Sequence, residues 1–401
     1  MTDTHKRLAL LVGVVAVILR LVFVFLTPAW QAPDEYAHYW VAEQIAITGQ
    51  SPTGNHTWPN YEAYQPPLYY WAASAIIKPF DLPVSFSPLP VSPPPSLIAL
   101  RLFSVLLFAA SYWFAYRLLK RFRSLEPGEI VWSLAFLAVL PTFVGNGAAV
   151  TNDGLVVVLS VACCVLAWTP NWSARTSLSV GFLAGLALLA KWNAVILVPI
   201  VIWRIWPPAD GDSKAAFRHL CLAAGGWLLP VLLLLGRNLI QYHDLLALNP
   251  GAVGGFGLTL GNVVRAVRNM TWSFWLAFGA DYKTTPGPVV YLVTALPLML
   301  AALAGWFRKG SRHTGAGLGW IFSVGVAVLA SLTFTMCYPP GEMTSWGKNL
   351  FVVLPFAAIL AVVGWTRLYR RRPWLIPSIA TALMLAGCCW GLWRLHGMTA
   401  G

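Results

Sequence analysis

The sequence predicts an all-α polytopic transmembrane helix bundle of about eleven spans. Three observations predict it. Only 10% of the 401 residues are charged, against about 25% in ordinary soluble domains, so charge cannot coat a water-facing surface. Hydrophobic residues make up 58% and mean hydropathy is +0.66. With 21 Trp, 20 Phe and 13 Tyr the chain is not disordered. The apolar residues also fall in repeated runs long enough for helices, which need roughly 20 residues to cross a bilayer, rather than in alternating strands of about 10 residues as in a β-barrel.

The first span, near 8–28, follows His5, Lys6 and Arg7 and lacks a small-residue cleavage pattern. It is expected to be a retained helix and not a signal peptide. Arg20 lies within it and must either snorkel or pair inside the bundle. Further spans are expected near 97–118, 130–148, 154–169, 177–190, 193–206, 219–238, 288–307, 316–336, 350–366 and 374–393. The runs at 177–190 and 193–206 are short, so tilt, a re-entrant pair or shielding by neighbours is expected. The chain reads as a single integral membrane domain, 1–401, with no soluble C-terminal domain. Its outer loops are 29–96, 239–287 and a short one over 337–349.

The net charge of +13 would suggest nucleic acid in a soluble protein. Here the positive-inside rule accounts for it. With the N-terminus cytoplasmic, inner loops hold 17 basic and 5 acidic residues, and outer segments hold 9 of each. An odd span count then puts the C-terminus in the periplasm, and no nucleic-acid partner is expected. The six cysteines (Cys163, Cys164, Cys221, Cys337, Cys388 and Cys389) have no metal-type spacing. Five lie in apolar runs and pack as small hydrophobes.

The first outer loop opens on Pro33-Asp34-Glu35-Tyr36-Ala37-His38. Pro33 suits the first position of a helix, with Asp34 and Glu35 in its first turn, where the dipole favours negative charge. His38 shares their face. That arrangement suits a helix start without chemistry, yet ionisable groups at a membrane end in a large outer loop favour function. Asp34 and Glu35 are therefore candidate catalytic carboxylates, Asp34 a candidate ligand for a divalent metal ion, and His38 a helper. Both this helix and a second one, opened by Pro66-Pro67 and ending near Lys78, are expected to be amphipathic and to lie on the membrane surface. A stiff proline-rich connector follows over 83–96.

Other polar groups gather at the outer ends of spans. These are Asn152-Asp153, Lys191, Arg237-Asn238 with Tyr242 and Asp244, the aromatic run Trp272–Phe278, and Lys348. A lysine between apolar runs is costly unless it snorkels or meets an anion. Lys191, Arg237 and Lys348 can approach one site from three span ends and are candidates for a phosphate.

The ordered set of Pro33-Asp34-Glu35 with His38, Gln65-Pro66-Pro67-Leu68-Tyr69-Tyr70, Asn152-Asp153, Lys191, Arg237-Asn238 with Asp244, Ser273-Phe274-Trp275 and Gly347-Lys348-Asn349-Leu350 resembles a bacterial polytopic membrane family of unknown function. That family lies within the GT-C glycosyltransferase superfamily. The resemblance runs from about residue 8 to 366 and implies a GT-C-like bundle with two juxtamembrane helices in the first outer loop. It implies sugar transfer at the outer face of the bacterial cytoplasmic (inner) membrane, from a polyprenyl-phosphate sugar donor to a lipid or cell-envelope glycan acceptor. Asp34 maps to the acid that activates the acceptor or binds metal, and Lys191 and Arg237 to groups meeting the donor phosphate. Gln65, Tyr69, Asn152, Asp153, Asn238 and Asp244 are further site candidates. The family's Gly-Arg-Tyr-Leu step reads Gly347-Lys348-Asn349-Leu350 here, so charge is kept but the bidentate fork is lost. The alternatives are a transporter or flippase of a lipid-linked or anionic substrate, or an assembly factor without catalysis. A transporter would place its polar groups near the midplane and in broken helices; apart from Arg20, they cluster at outer ends.

Overall fold

The structure is a computed structural model describing residues 1–54, 59–80, 93–206, 212–248, 259–280, 284–307, 314–336 and 347–397. Most of the proline-rich connector (83–92) and Cys337 lie outside these residues. Among the described residues the fold is helical, with a single isolated bridge between Phe278 and Thr284.

Helices occupy every expected apolar run. They are α1 (Asp3–Leu26), α2 (Glu35–Thr48), α3 (Leu68–Ile77), α4 (Pro95–Leu119), α5 (Pro127–Val139), α6 (Pro141–Asn146), α7 (Asp153–Ala167), α8 (Ala174–Ala190) and α9 (Leu197–Ile205) in the first half. The second half holds α10 (Ser213–Tyr242), α11 (Leu260–Trp275), α12 (Pro288–Val293), α13 (Ala295–Phe307), α14 (Thr314–Met336), α15 (Leu354–Leu368) and α16 (Leu375–Gly397). Single 3₁₀ turns cover Asn60–Glu62, Trp192–Ile196 and Gly347–Val353. Among the described residues six helices are long and apolar enough to cross a membrane unaided. The other apolar helices are shorter, which fits a bundle whose neighbours shield them.

The run expected as one span over 130–148 is two helices. Pro141 has no N–H, so the ladder stops at Leu140 and α6 leaves in a new direction. The carbonyls this break frees are met by Arg20, which is fully buried. Its Nη1 donates to Ala138 (2.9 Å) and Ala16 (3.1 Å), and Nη2 to Leu137 and Phe143 (3.5 Å each). Its guanidinium lies 3.2 Å from the Phe108 ring centroid. Arg20 thus pairs inside the bundle with backbone oxygen and does not snorkel. Gly147 is required beside it, because a Cβ there would sit 2.7 Å from Arg20 Nε.

Lipid tails are as apolar as leucine, so membrane helices associate by close backbone approach at small residues. A Cβ on Gly181 of α8 would come within 1.8 Å of the Ala223 carbonyl oxygen of α10, and one on Gly226 within 2.3 Å of Leu178 oxygen. The same device joins α13 and α15 at Gly305 and Gly364.

Between α1 and α4, α2 and α3 pack together over a cluster containing Tyr39, Tyr69, Tyr70, Ala73 and Leu97. The expected surface helix is therefore largely internal: Glu35, Tyr36, Ala37, His38, Tyr39, Val41, Ala42 and Glu43 are all buried. Its start also differs from expectation. Asp34 is the N-cap, left-handed at φ 56°, and Glu35 is the first helical residue.

Candidate active site

Four elements bring charged side chains together. Asp34 comes from the start of α2, and Asp153 from the start of α7, where the helix dipole favours an acid. Lys191 caps the end of α8 in extended backbone, and Lys348 sits in the 3₁₀ turn before α15. They form an alternating chain. Lys348 Nζ donates to Asp34 Oδ2 at 3.3 Å and lies 3.8 Å from Asp153 Oδ2, while Lys191 Nζ donates to Asp153 Oδ1 at 2.5 Å. Asp153, Lys191 and Lys348 are buried and Asp34 is partly exposed. Opposite charges in alternation are how such groups tolerate low dielectric. Tyr61 adds a hydrogen bond to Asp34 Oδ1 (3.3 Å) and Thr151 one to Asp153 Oδ2 (3.2 Å).

A second group adjoins Asp34. His38, one turn along α2, has Nδ1 2.8 Å from the Tyr70 hydroxyl, which donates to the Glu62 carbonyl oxygen at 3.3 Å. In that arrangement Nδ1 carries the proton and Nε2 the lone pair. Ligand atoms of Asp34, His38 and Glu62 lie within 4.8 Å of one another. Glu62 is buried, and its Oε2 has no hydrogen-bond partner. Burial pushes the Asp34 carboxyl up, but Lys348, with Lys191 adding to it, outweighs burial and holds it below the usual carboxylate range. Burial drives His38 down to about 3, so its imidazole is neutral. Burial, with the Asp34 charge adding to it, lifts Glu62 to about 8. A neutral imidazole beside two carboxylates, one with an orphaned oxygen, fits a divalent cation by donor type.

Glu35 does not join Asp34 in the site. It turns inward to a buried ion pair with Arg101, which donates from Nε to Oε1 (2.8 Å) and from Nη2 to Oε2 (2.6 Å). Arg101 uses its remaining N–H groups on the carbonyls of Val24 (3.0 Å), Thr27 (2.7 Å) and Pro28 (2.9 Å). The backbone N–H groups of Trp30 (3.2 Å) and Val150 (3.3 Å) also donate to Glu35. The pair thus ties the end of α1, the Asp34 turn and the segment leading to Asp153 into one unit.

Arg237 does not share an anion with the two lysines either. Its Nη2 donates to Ala63 oxygen (2.7 Å) and its Nη1 to Tyr64 oxygen (3.1 Å), and it lies over the Tyr242 ring at 5.1 Å. It holds the loop just after Glu62. Asn238 Nδ2 donates to the Leu245 and Leu246 carbonyls (3.1 Å each), and Asp244 accepts from Leu246 N (3.0 Å) in an exposed turn. Both organise the turn after α10 and stand apart from the charge chain. Gln65 Nε2 donates to Tyr64 (3.2 Å), and Tyr69 is buried between Tyr70 and Phe103. Asn152 is fully buried next to Asp153, with both amide atoms unpartnered. Glu62, Tyr61 and Arg101 are not singled out by the sequence, and Tyr70 stands there only within the Gln65-Pro66-Pro67-Leu68-Tyr69-Tyr70 motif. An acid just ahead of the Gln65-Pro66-Pro67 motif was the available signal for Glu62.

The family described as dolichyl-phosphate-mannose-protein mannosyltransferase matches residues 95–234. Among solved structures, ArnT from Cupriavidus metallidurans bound to undecaprenyl phosphate superposes with a TM-score of 0.60 at 15% identity, covering 94% of this chain and 63% of that one. The Archaeoglobus fulgidus oligosaccharyltransferase in complex with Zn and sulfate gives a TM-score of 0.50 at 13% identity, covering 95% and 53%. The chain has the GT-C fold. The GT-C-like bundle implied by the motif resemblance is therefore borne out as a fold. The chain spans less than two thirds of the length of these structures. Curated proteins include no match to the sequence.

Proposed function

We propose that this GT-C-fold chain is a membrane glycosyltransferase that moves a sugar from a polyprenyl-phosphate donor to a lipid or cell-envelope glycan hydroxyl on the outer face of the bacterial inner membrane. The reading rests on the solvent-reachable carboxylate of Asp34, held at the edge of an otherwise buried chain of alternating charge at the outer helix ends. The family match and the undecaprenyl phosphate bound to the similar ArnT support the donor class.

Lys348 and Lys191 keep Asp34 ionised at neutral pH, so it accepts a proton. The acceptor oxygen attacks the anomeric carbon, the bond from that carbon to the phosphate oxygen breaks, and the hydroxyl proton passes to Asp34. The polyprenyl phosphate leaves with the bonding electron pair. Its growing negative charge is stabilised by nearby cations, of which Lys348 and Lys191 are already positioned by Asp153. A divalent ion on Asp34, His38 and Glu62 would supply additional positive charge beside the transferring group.

Asp34→Asn should lower transfer by about 10²- to 10⁴-fold, the range for a lost general base. The measurement is radiolabelled or mass-resolved sugar transfer in membranes. Undiminished transfer by that variant would remove Asp34 from the reaction. Movement of lipid-linked sugar across liposomes without a new covalent product would support the flippase alternative instead.

A further inference from the structure

A groove of about 480 Å³ runs between α1 and α4, along the half of α1 away from the Asp34 turn. Its floor is Tyr112. Gly13 permits this, because a Cβ there would sit 2.7 Å from the Tyr112 ring, and the Tyr112 hydroxyl donates to Ala9 oxygen at 2.7 Å. The walls are apolar, among them Val14, Ile18 and Ala109. The groove extends along α1 from Lys6 to Ile18, about 18 Å at the helical rise. One leaflet of hydrocarbon is about 15 Å deep, so the groove is one leaflet long and closes near the midplane.

Its mouth is built differently from its walls. Lys6 lines it, and at the end of α4 Lys120 lies over Tyr116 at 5.2 Å and Arg117 over Trp113 at 5.8 Å. Tyr and Trp at headgroup level with cations above them form an interfacial anchor. Lys6 also pairs with Asp3 at 2.8 Å, but both side chains are solvated and such a pair cancels little. We infer that this groove binds one anionic glycerophospholipid, with an acyl chain along Tyr112 and Gly13 and its phosphate at Lys6 and Lys120. Hydrocarbon burial cannot select this lipid, since every lipid in the leaflet offers it. Selection comes from the headgroup charge, at about fivefold per nearby cation.

The test is native mass spectrometry of the full chain from nanodiscs of phosphatidylglycerol and phosphatidylcholine in equal amounts. The wild-type chain should retain one phosphatidylglycerol at least tenfold over phosphatidylcholine. Ala109→Trp fills the groove and should abolish retention of either lipid. The double variant Lys6→Glu, Lys120→Glu should retain lipid but lose the preference. Circular dichroism identifies properly folded variants, and the wild-type headgroup ratio needs no variant at all. Equal retention of the two lipids by the wild-type chain, or unchanged retention by folded Ala109→Trp, would overturn the site. Neither result depends on sugar transfer.

Discussion

Asp34 and Glu35 are neighbours in sequence and have different tasks. Asp34 adopts a left-handed conformation that Asp tolerates better than most residues, which turns its carboxylate outward to Lys348 while Glu35 turns inward to Arg101. Removing one partner of a buried ion pair leaves an uncompensated charge and costs about 3–5 kcal/mol. Arg101→Met should therefore lower unfolding stability in detergent by that amount, whereas Asp34→Asn, which leaves Lys348 beside Asp153, should cost about 1 kcal/mol. Equal losses for the two would contradict this division of labour. Glu62 gives a pH signature. Its carboxyl is protonated below about 8 and must release that proton to bind a metal. Stabilisation by Mn²⁺, read as a thermal shift at fixed metal concentration, should grow from pH 6 to 8 and then level off. A shift independent of pH would remove Glu62 from the ligand set. At this scale the sequence was partly legible. Asp34, His38, Asp153, Lys191 and Lys348 were all recognisable as costly polar groups at span ends. The inward turn of Glu35 was not, because its partner Arg101 is 66 residues away in the chain.

At the scale of elements, interruptions in helices position the site. Pro141 ends α5, Arg20 receives the freed carbonyls, and the chain returns through α6 to Asp153. Another interruption is the 3₁₀ turn Gly347–Val353 that carries Lys348. Gly347 N donates to Ser273 Oγ at 2.6 Å, and a Cβ at Gly347 would lie 2.3 Å from Phe274 N and 2.5 Å from Met270 oxygen. No side chain fits there, so Gly347→Ala must push the turn away from α11 and take Lys348 with it. Overpacking of this kind costs about 1–3 kcal/mol. Transfer should fall at least tenfold while the helical circular dichroism signal stays intact, and wild-type transfer by Gly347→Ala would show that this contact does not set the Lys348 position. Glycine at 347 was visible in the sequence as part of a motif. That its missing side chain makes room for α11 required the packing.

At the scale of the whole molecule, the charge balance has acquired a finer meaning. The inner face holds the net excess, which predicts a cytoplasmic N-terminus and a periplasmic C-terminus. Epitope tags at the two ends should show this in spheroplasts: the N-terminal tag protected from protease and the C-terminal tag cleaved. The reverse pattern would place the charge chain on the cytoplasmic face and remove a periplasmic reaction. Two of the ion pairs among the balanced outer charges are not part of a solvated rim. Glu35 with Arg101 and Asp153 with Lys191 are buried, so the bundle beside Asp34 has a packed, charged interior.

A helical membrane bundle, the approximate course of its helices and the ends where its polar groups gather all follow from the amino-acid sequence alone. Hydrocarbon imposes those features locally, because each crossing segment must be apolar and satisfy its own backbone hydrogen bonds. Which charges meet is set by the packing of the bundle. It gave Glu35 to Arg101, placed Glu62 beside Asp34 and His38, fixed Arg237 on the loop carbonyls, and split one expected span at Pro141. Those outcomes depend on distances between residues far apart in the chain, and apolar periodicity carries no record of them. The cost of burying a charge is local, whereas the partner that offsets it comes from the fold.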